Sequence, residues 1–290
     1  MKTIAQFYTL FWIIYFPTCI AFNELDGFGW IDEIMTVILM AFTFLNSSVS
    51  LNREPRGEYR LFLGILAFYV VYGLIFGENI EKAVLRDMVQ WIRPFSVIYC
   101  TWILNPRFTE RQKNVMLISM LVTLGAWFLY HPEVNVGADA EFPVLGQLAM
   151  CTGMTWYLWK PDNQKNAYIA LAIVLSGMLA PKFKFMGEVV CFVGFVFFLR
   201  GKLQFKSPKT ILALVVLLAV TLYVTWEKFD IYYVSGLNSN ELARPMSYRI
   251  AFTEIIWDYF PFGPGMGTWG CAAAADYYSP LLYKYHMSRV

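Results

Sequence analysis

The sequence predicts an all-α membrane protein: a polytopic helical bundle of about nine spans, with a large extracytoplasmic loop built from short helices. Three observations predict it. Of the 290 residues, 58% are hydrophobic and only 15% are charged, where a soluble domain carries about 25%. The apolar residues fall in long runs separated by short charged loops. Lysine and arginine gather in alternate loops, as they do on the cytoplasmic side of membrane proteins.

The runs are Ile4–Phe22, Ile31–Leu45, Leu61–Gly77, Trp91–Leu104, Val115–Tyr130, Phe142–Trp159, Ala167–Leu179, Met186–Leu199 and Ile211–Thr225. The first follows Lys2 and has no small-x-small cleavage site, so it reads as an uncleaved span. Several runs are shorter than the roughly 20 residues a bilayer requires, so either their ends extend into the flanks or those spans are short. The fourth has Arg93 and Pro94 near its start.

Basic residues set the orientation. Lys2, Arg53, Arg56, Arg60, Arg107, Arg111, Lys113, Lys160, Lys165, Arg200, Lys202, Lys206 and Lys209 fall on one side. Lys82, Arg86, Arg93, Lys182 and Lys184 fall on the other. This places the N-terminus in the cytoplasm and everything after Thr225 outside. Residues 1–225 then form the transmembrane bundle and residues 226–290 an extracytoplasmic loop. That loop ends on Ser288-Arg289-Val290 with no closing span, which predicts a further outer segment and more helices beyond it.

Cys19, Cys100, Cys151 and Cys191 lie inside apolar runs, Cys271 lies outside them, and no CxxC pair occurs. Inert buried thiols are expected. His131 and His286 have no second metal-type ligand at helical spacing, so no metal site is predicted. No cofactor and no nucleic-acid partner are expected.

The stretch Arg244–Pro280 carries the distinctive residues. Ser247 reads as an N-cap, with Arg249 in the first turn and Thr253 one turn on. Tyr248, Phe252, Ile255 and Tyr259 form an apolar stripe at helical spacing. Pro261 stops the helix. Gly263, Gly265 and Gly267 then alternate with Pro264 and Met266, which is turn chemistry. Arg244 and Arg249 near a helix N-terminus suit an anion, and arginine grips phosphate bidentately. A loop salt bridge to Glu241 or Glu254 is the competing reading. Lys182 and Lys184 beside Pro181 fit either a snorkelling pair or a grip on an anionic head group. Lys82 and Arg86 read as solvated. Arg93 needs a partner, with Asp87 or Glu81 the nearest acids in sequence. Trp269, Tyr277, Tyr278, Tyr283 and Tyr285 suit either a membrane interface or sugar stacking.

Ser247-Tyr248-Arg249-Ile250-Ala251-Phe252, followed by Pro261-Phe262-Gly263-Pro264-Gly265-Met266-Gly267-Thr268-Trp269, resembles the signature of the O-antigen ligase and O-antigen polymerase superfamily. Arg249 matches the family's helix arginine, Pro261 its proline, and Gly263 to Trp269 its glycine turn. The chain departs at Pro181-Lys182-Phe183-Lys184, where many members have Ser-Arg. His286 is too close to the turn to match the family's later outer histidine.

The resemblance implies a metal-independent, C-type membrane glycosyltransferase. Its donor would be an undecaprenyl pyrophosphate-linked glycan, and its acceptor a glycan or lipid A-core sugar at the outer face of a bacterial inner membrane. Arg249 would contact the pyrophosphate first, then Arg244, Lys184 and Lys182. The glycines would let the backbone approach substrate, with Glu254 and Asp258 as stand-ins for a general base. The alternative is a transporter or flippase-like carrier of an anionic glycolipid. Such carriers show repeated halves and mid-span charges; this sequence has no repeat and few such charges.

Overall fold

The computed structural model describes residues 2–24, 30–46, 54–77, 80–130, 143–179, 183–199, 208–235 and 243–287. The regular structure of these residues is all helical, with no strand among them. Long helices occupy all nine predicted runs: α1 (Lys2–Glu24), α2 (Ile31–Leu45), α3 (Pro55–Ile75), α4 (Glu81–Leu104), α5 (Glu110–Tyr130), α6 (Pro143–Trp159), α7 (Gln164–Ser176), α8 (Phe183–Val193) and α9 (Pro208–Phe229). Four short helices follow: α10 (Ala243–Ile250), α11 (Ile256–Asp258), α12 (Ala272–Asp276) and α13 (Pro280–Lys284).

The boundaries have local causes. Pro55 opens α3, where its missing N–H costs nothing. Thr109 and Gln112 form a capping box before α5: the Thr109 N–H donates to Gln112 Oε1 at 2.9 Å, and the Gln112 N–H donates to Thr109 Oγ1 at 3.3 Å. Asn163 caps α7 by accepting the Asn166 N–H at 2.9 Å. Asn105 ends α4 in the left-handed region, at φ 43°.

Among the described residues, two helices are both long and apolar enough to cross a membrane, Pro55–Ile75 and Glu110–Leu129. Helices thus stand at the nine expected spans, and two of them meet the requirements for crossing among the described residues; α1 and α9, of 23 and 22 residues, include side chains outside those residues. Helices α2, α6, α7 and α8 have 15, 17, 13 and 11 residues, short of the roughly 20 a bilayer core needs. Helix α4 is long enough but carries Glu81, Lys82, Arg86, Asp87 and Arg93.

The chain divides into two compact units. One unit joins Gly29–Pro106 to Asp230–Val290; the other joins Lys2–Phe28 to Arg107–Phe229.

In the second unit α1 runs parallel to α5, with the Ser119 hydroxyl donating to the Ile13 carbonyl at 3.4 Å. Helices α6 and α7 approach closely because Gly153 has no side chain: a Cβ there would meet the Ala170 carbonyl oxygen at 2.9 Å. Ala170, Val174, Phe185, Val189 and Phe192 form the core beside that seam. Tyr8, Phe108 and Trp159 form a chain of ring contacts at one end, where Lys160 donates to Asn114 at 2.7 Å.

In the first unit α4 is the central post. Helix α3 packs against it antiparallel, pairing Tyr59 with Ser96 at 3.0 Å and Phe62 with Phe95 at 4.7 Å between centroids. Helix α2 packs on it as well. Arg93 finds its partners there, Glu33 at 3.0 Å and Asp32 at 3.4 Å. Asp87 and Glu81, the partners suggested by sequence proximity, share its helix; the true partners are about 60 residues away in sequence. Arg86 is not merely solvated either, since it pairs with Asp276 at 2.7 Å.

Candidate functional site

The Arg244–Pro280 stretch lies wholly in the first unit. Its opening differs from the sequence reading. Helix α10 covers Ala243–Ile250, so Ser247 is inside the helix and does not cap it. Arg249 lies in the last turn of α10 and not the first, half-buried. The helix-dipole argument for anion binding therefore applies to Arg244, one residue into α10, and not to Arg249. The Arg249 carbonyl accepts the Thr253 hydroxyl at 2.8 Å, one turn on as expected.

Beyond α10 the backbone widens into a π-turn over Ala251–Ile255 before α11 resumes. A π-turn advances five residues per hydrogen bond instead of four and shifts the buried face. The inward residues are consequently Met246, Ile250 and Ile255, which pack with Leu281 and Tyr285. Tyr248 and Phe252, placed in the apolar stripe by a regular helical period, face outward.

After Asp258 the chain turns, with a cis peptide bond before Pro261, into the glycine segment. Gly263, Gly265 and Gly267 all have left-handed backbone, at φ 76°, 94° and 75°. Their surroundings differ. A Cβ at Gly263 would meet nothing within 4 Å. One at Gly265 would press on Gly73 Cα of α3 at 3.1 Å, and one at Gly267 on the Ala83 carbonyl carbon of α4 at 2.7 Å. The glycines at 265 and 267 therefore let the turn seat directly on two helices.

Polar bonds fix this seat. The Tyr72 hydroxyl donates to the Gly263 carbonyl at 3.0 Å. The Gly267 N–H donates to Asp87 Oδ2 at 2.8 Å, in a buried position. The Thr268 hydroxyl donates to the Gly265 carbonyl. Phe262 lies edge-on to Phe68 at 5.5 Å.

Beneath the turn is a cavity of about 400 Å³. Phe62, Ile65, Leu66 and Tyr69, spaced as one face of α3, form one wall. Asp87, Trp91 and Phe95, one turn apart on α4, form the other. Phe262, Gly265 and Met266 form the lid. The surface is apolar and aromatic apart from the Asp87 carboxylate, and Asp87 is only 6% exposed. The Cys271 thiol, whose sulfur caps α12, lies near that carboxylate; burial pushes the thiol pKa up and the carboxylate adds to the effect.

The aromatic tail divides between packing and exposure. Trp269 and Tyr285 meet edge-to-face at 5.7 Å inside the cluster around Leu281. Tyr277 lies under the Arg86 guanidinium at 6.0 Å. Tyr278 and Tyr283 form an exposed pair. Asp258 accepts the Tyr285 hydroxyl at 2.7 Å and has Lys284 at 3.8 Å, while Glu254 is exposed.

Of the residues predicted to form the site, the structure brings Gly263, Gly265 and Gly267 together over the pocket. Arg244 is on α10, but its side chain lies outside the described residues, as does all of Lys182. Lys184 belongs to the opening of α8, in the other unit, and its side chain too is outside the described residues. The pocket residues of α3 and α4 escaped the sequence reading. Their signal was the helical spacing of Phe62, Leu66 and Tyr69 and of Asp87, Trp91 and Phe95. No protein-family model, curated protein or solved structure matches the chain.

Proposed function

We propose that this chain is an integral-membrane glycosyltransferase. It moves glycan from an undecaprenyl pyrophosphate-linked donor to a glycan or lipid A-core acceptor, at the outer face of a bacterial inner membrane. The observation that carries the reading is the Ser247–Trp269 pattern, folded as a helix that passes through a π-turn into a turn with left-handed backbone at all three alternate glycines. π-turns are frequent at functional sites. The leaving group is a pyrophosphate, so the reaction needs fixed positive charge where negative charge develops. Arg249 fills that role, with Arg244 as a further contact to the donor.

Membrane association is supported by α3. Its apolar stretch is only 11% buried within the chain, where the core helix of a soluble domain is mostly buried.

The test is glycan transfer in cells lacking the native gene, read beside the membrane level of the protein. Arg249→Ala abolishes transfer at normal protein level, because one preorganised donor is worth on the order of 100-fold or more in rate. Arg249→Lys restores part of it, keeping charge without the fork. Full transfer by Arg249→Ala at normal level would remove the catalytic role. Loss of protein from the membrane would assign Arg249 to the fold.

A further inference from the structure

Asp87 is the buried carboxylate without a basic partner among the described residues of the first unit. The other basic residues nearby on α4 are already engaged, Arg86 with Asp276 and Arg93 with Asp32 and Glu33. Lys82 is exposed. Asp87 accepts one backbone N–H, from Gly267, has the neutral Cys271 thiol beside it, and otherwise borders the pocket. A buried carboxylate that lacks a counter-charge is penalised by desolvation.

What borders it is aromatic. Trp91, Tyr69 and Phe262 line the same cavity, and all three carry a negative π-face. Trp91 and Phe262 are half exposed, so the pocket has a rim open to the outside. The volume of about 400 Å³ falls in the range of small-molecule sites. An anion entering here meets a fixed negative charge. A neutral apolar guest leaves that charge uncompensated. A cation on an apolar arm satisfies the carboxylate, the π-faces and the apolar walls together.

We infer that the pocket between α3, α4 and the glycine turn binds a small organic cation, a substituted ammonium on an apolar arm, with Asp87 as counter-charge and Trp91, Tyr69 and Phe262 as aromatic walls. This site is separate from the basic residues assigned to the pyrophosphate and does not depend on the glycosyltransferase reading.

The experiment is calorimetric titration of the full chain in detergent with three probes: benzyltrimethylammonium, its neutral isostere neopentylbenzene, and benzenesulfonate. The cation binds, the isostere binds at least about tenfold more weakly, and the sulfonate does not bind. Asp87→Asn keeps an acceptor for the Gly267 N–H, and lowers cation affinity about tenfold or more. Trp91→Ala lowers it several-fold through the lost ring. Equal binding of the isostere, undiminished binding by Asp87→Asn, or no cation binding at millimolar probe overturns the inference. Should Asp87→Asn fail to fold, the charge comparison on the unmodified chain and the Trp91→Ala titration decide it.

Discussion

The Gly267 N–H and the Asp87 carboxylate, 2.8 Å apart and buried, tie the glycine turn to the middle of the first unit. Removing the acceptor leaves a buried N–H unsatisfied, which costs about 1–3 kcal/mol. Asp87→Ala therefore lowers the melting temperature in detergent clearly more than Asp87→Asn does. Equal losses from the two would mean that the bond does not hold the turn.

The three motif glycines are not equivalent. Gly267→Ala drives a Cβ into the Ala83 and Val84 backbone at 2.7–2.8 Å, with φ at 75°. Its cost is about 3 kcal/mol or more. Gly263→Ala enters open space and bears only the left-handed penalty of about 1–2 kcal/mol. Thermal unfolding of both variants beside the parent tests the order, and a larger loss at Gly263 would contradict this packing.

Arg93 joins α4 to α2 through Glu33 and Asp32. Arg93→Ala leaves two adjacent carboxylates facing an empty place, and costs about 1–3 kcal/mol for a partly exposed pair. Arg93→Lys recovers part of this. The Glu33→Gln, Arg93→Ala double variant should lose less than the sum of the single variants, which a double-mutant cycle on melting would measure.

Tyr285 sets a high-pH limit. Burial, and then its hydrogen bond to Asp258, raise its pKa from 10.0 to about 12, against the opposing charge of Lys284; Tyr259 also faces it. The fold therefore favours the neutral phenol. That contribution is fully present below pH 10, the unfolded value, and is lost as pH rises toward 12. Spectrophotometric titration should show a late tyrosinate that disappears in Tyr285→Phe. A normal titration of all tyrosines would refute the shift.

Orientation can be read with single cysteines in a chain whose five native thiols are replaced. A cysteine at Asp162, exposed between α6 and α7, is labelled only once the inner membrane is permeabilised. One at Tyr283, exposed on α13, is labelled in intact cells whose outer barrier alone is opened. The reverse pattern would invert the topology.

Helix positions were legible because apolar runs and their loops mark them locally: Thr109 and Gln112, or Asn163, announce the next helix within four residues. The glycine turn was legible for the same reason. What was not legible depends on distance or on a broken period. The face of Met246, Ile250 and Ile255 could not be read at 3.6 residues per turn, because the π-turn advances it by an extra residue. Arg93 chose acids on another helix over those on its own. The pocket needed α3, α4 and the turn to meet, and no single stretch records that meeting. Crossing a membrane was read from composition, apolar runs and the basic bias of alternate loops, whereas helix length and charge content restrict that test to α3 and α5 among the described residues.

The Tyr72–Gly263 bond joins residues 191 positions apart. On a ribosome adding roughly 5–20 residues per second, the acceptor is made some 10–40 s after the donor. Through that interval the α3–α4 hairpin exists without its cover, and the Asp87 carboxylate lacks the Gly267 N–H that it accepts in the folded unit. Maturation of the first unit is thus gated by translation of its last quarter. A ribosome stalled before Pro261 would hold a hairpin whose aromatic pocket is still uncovered.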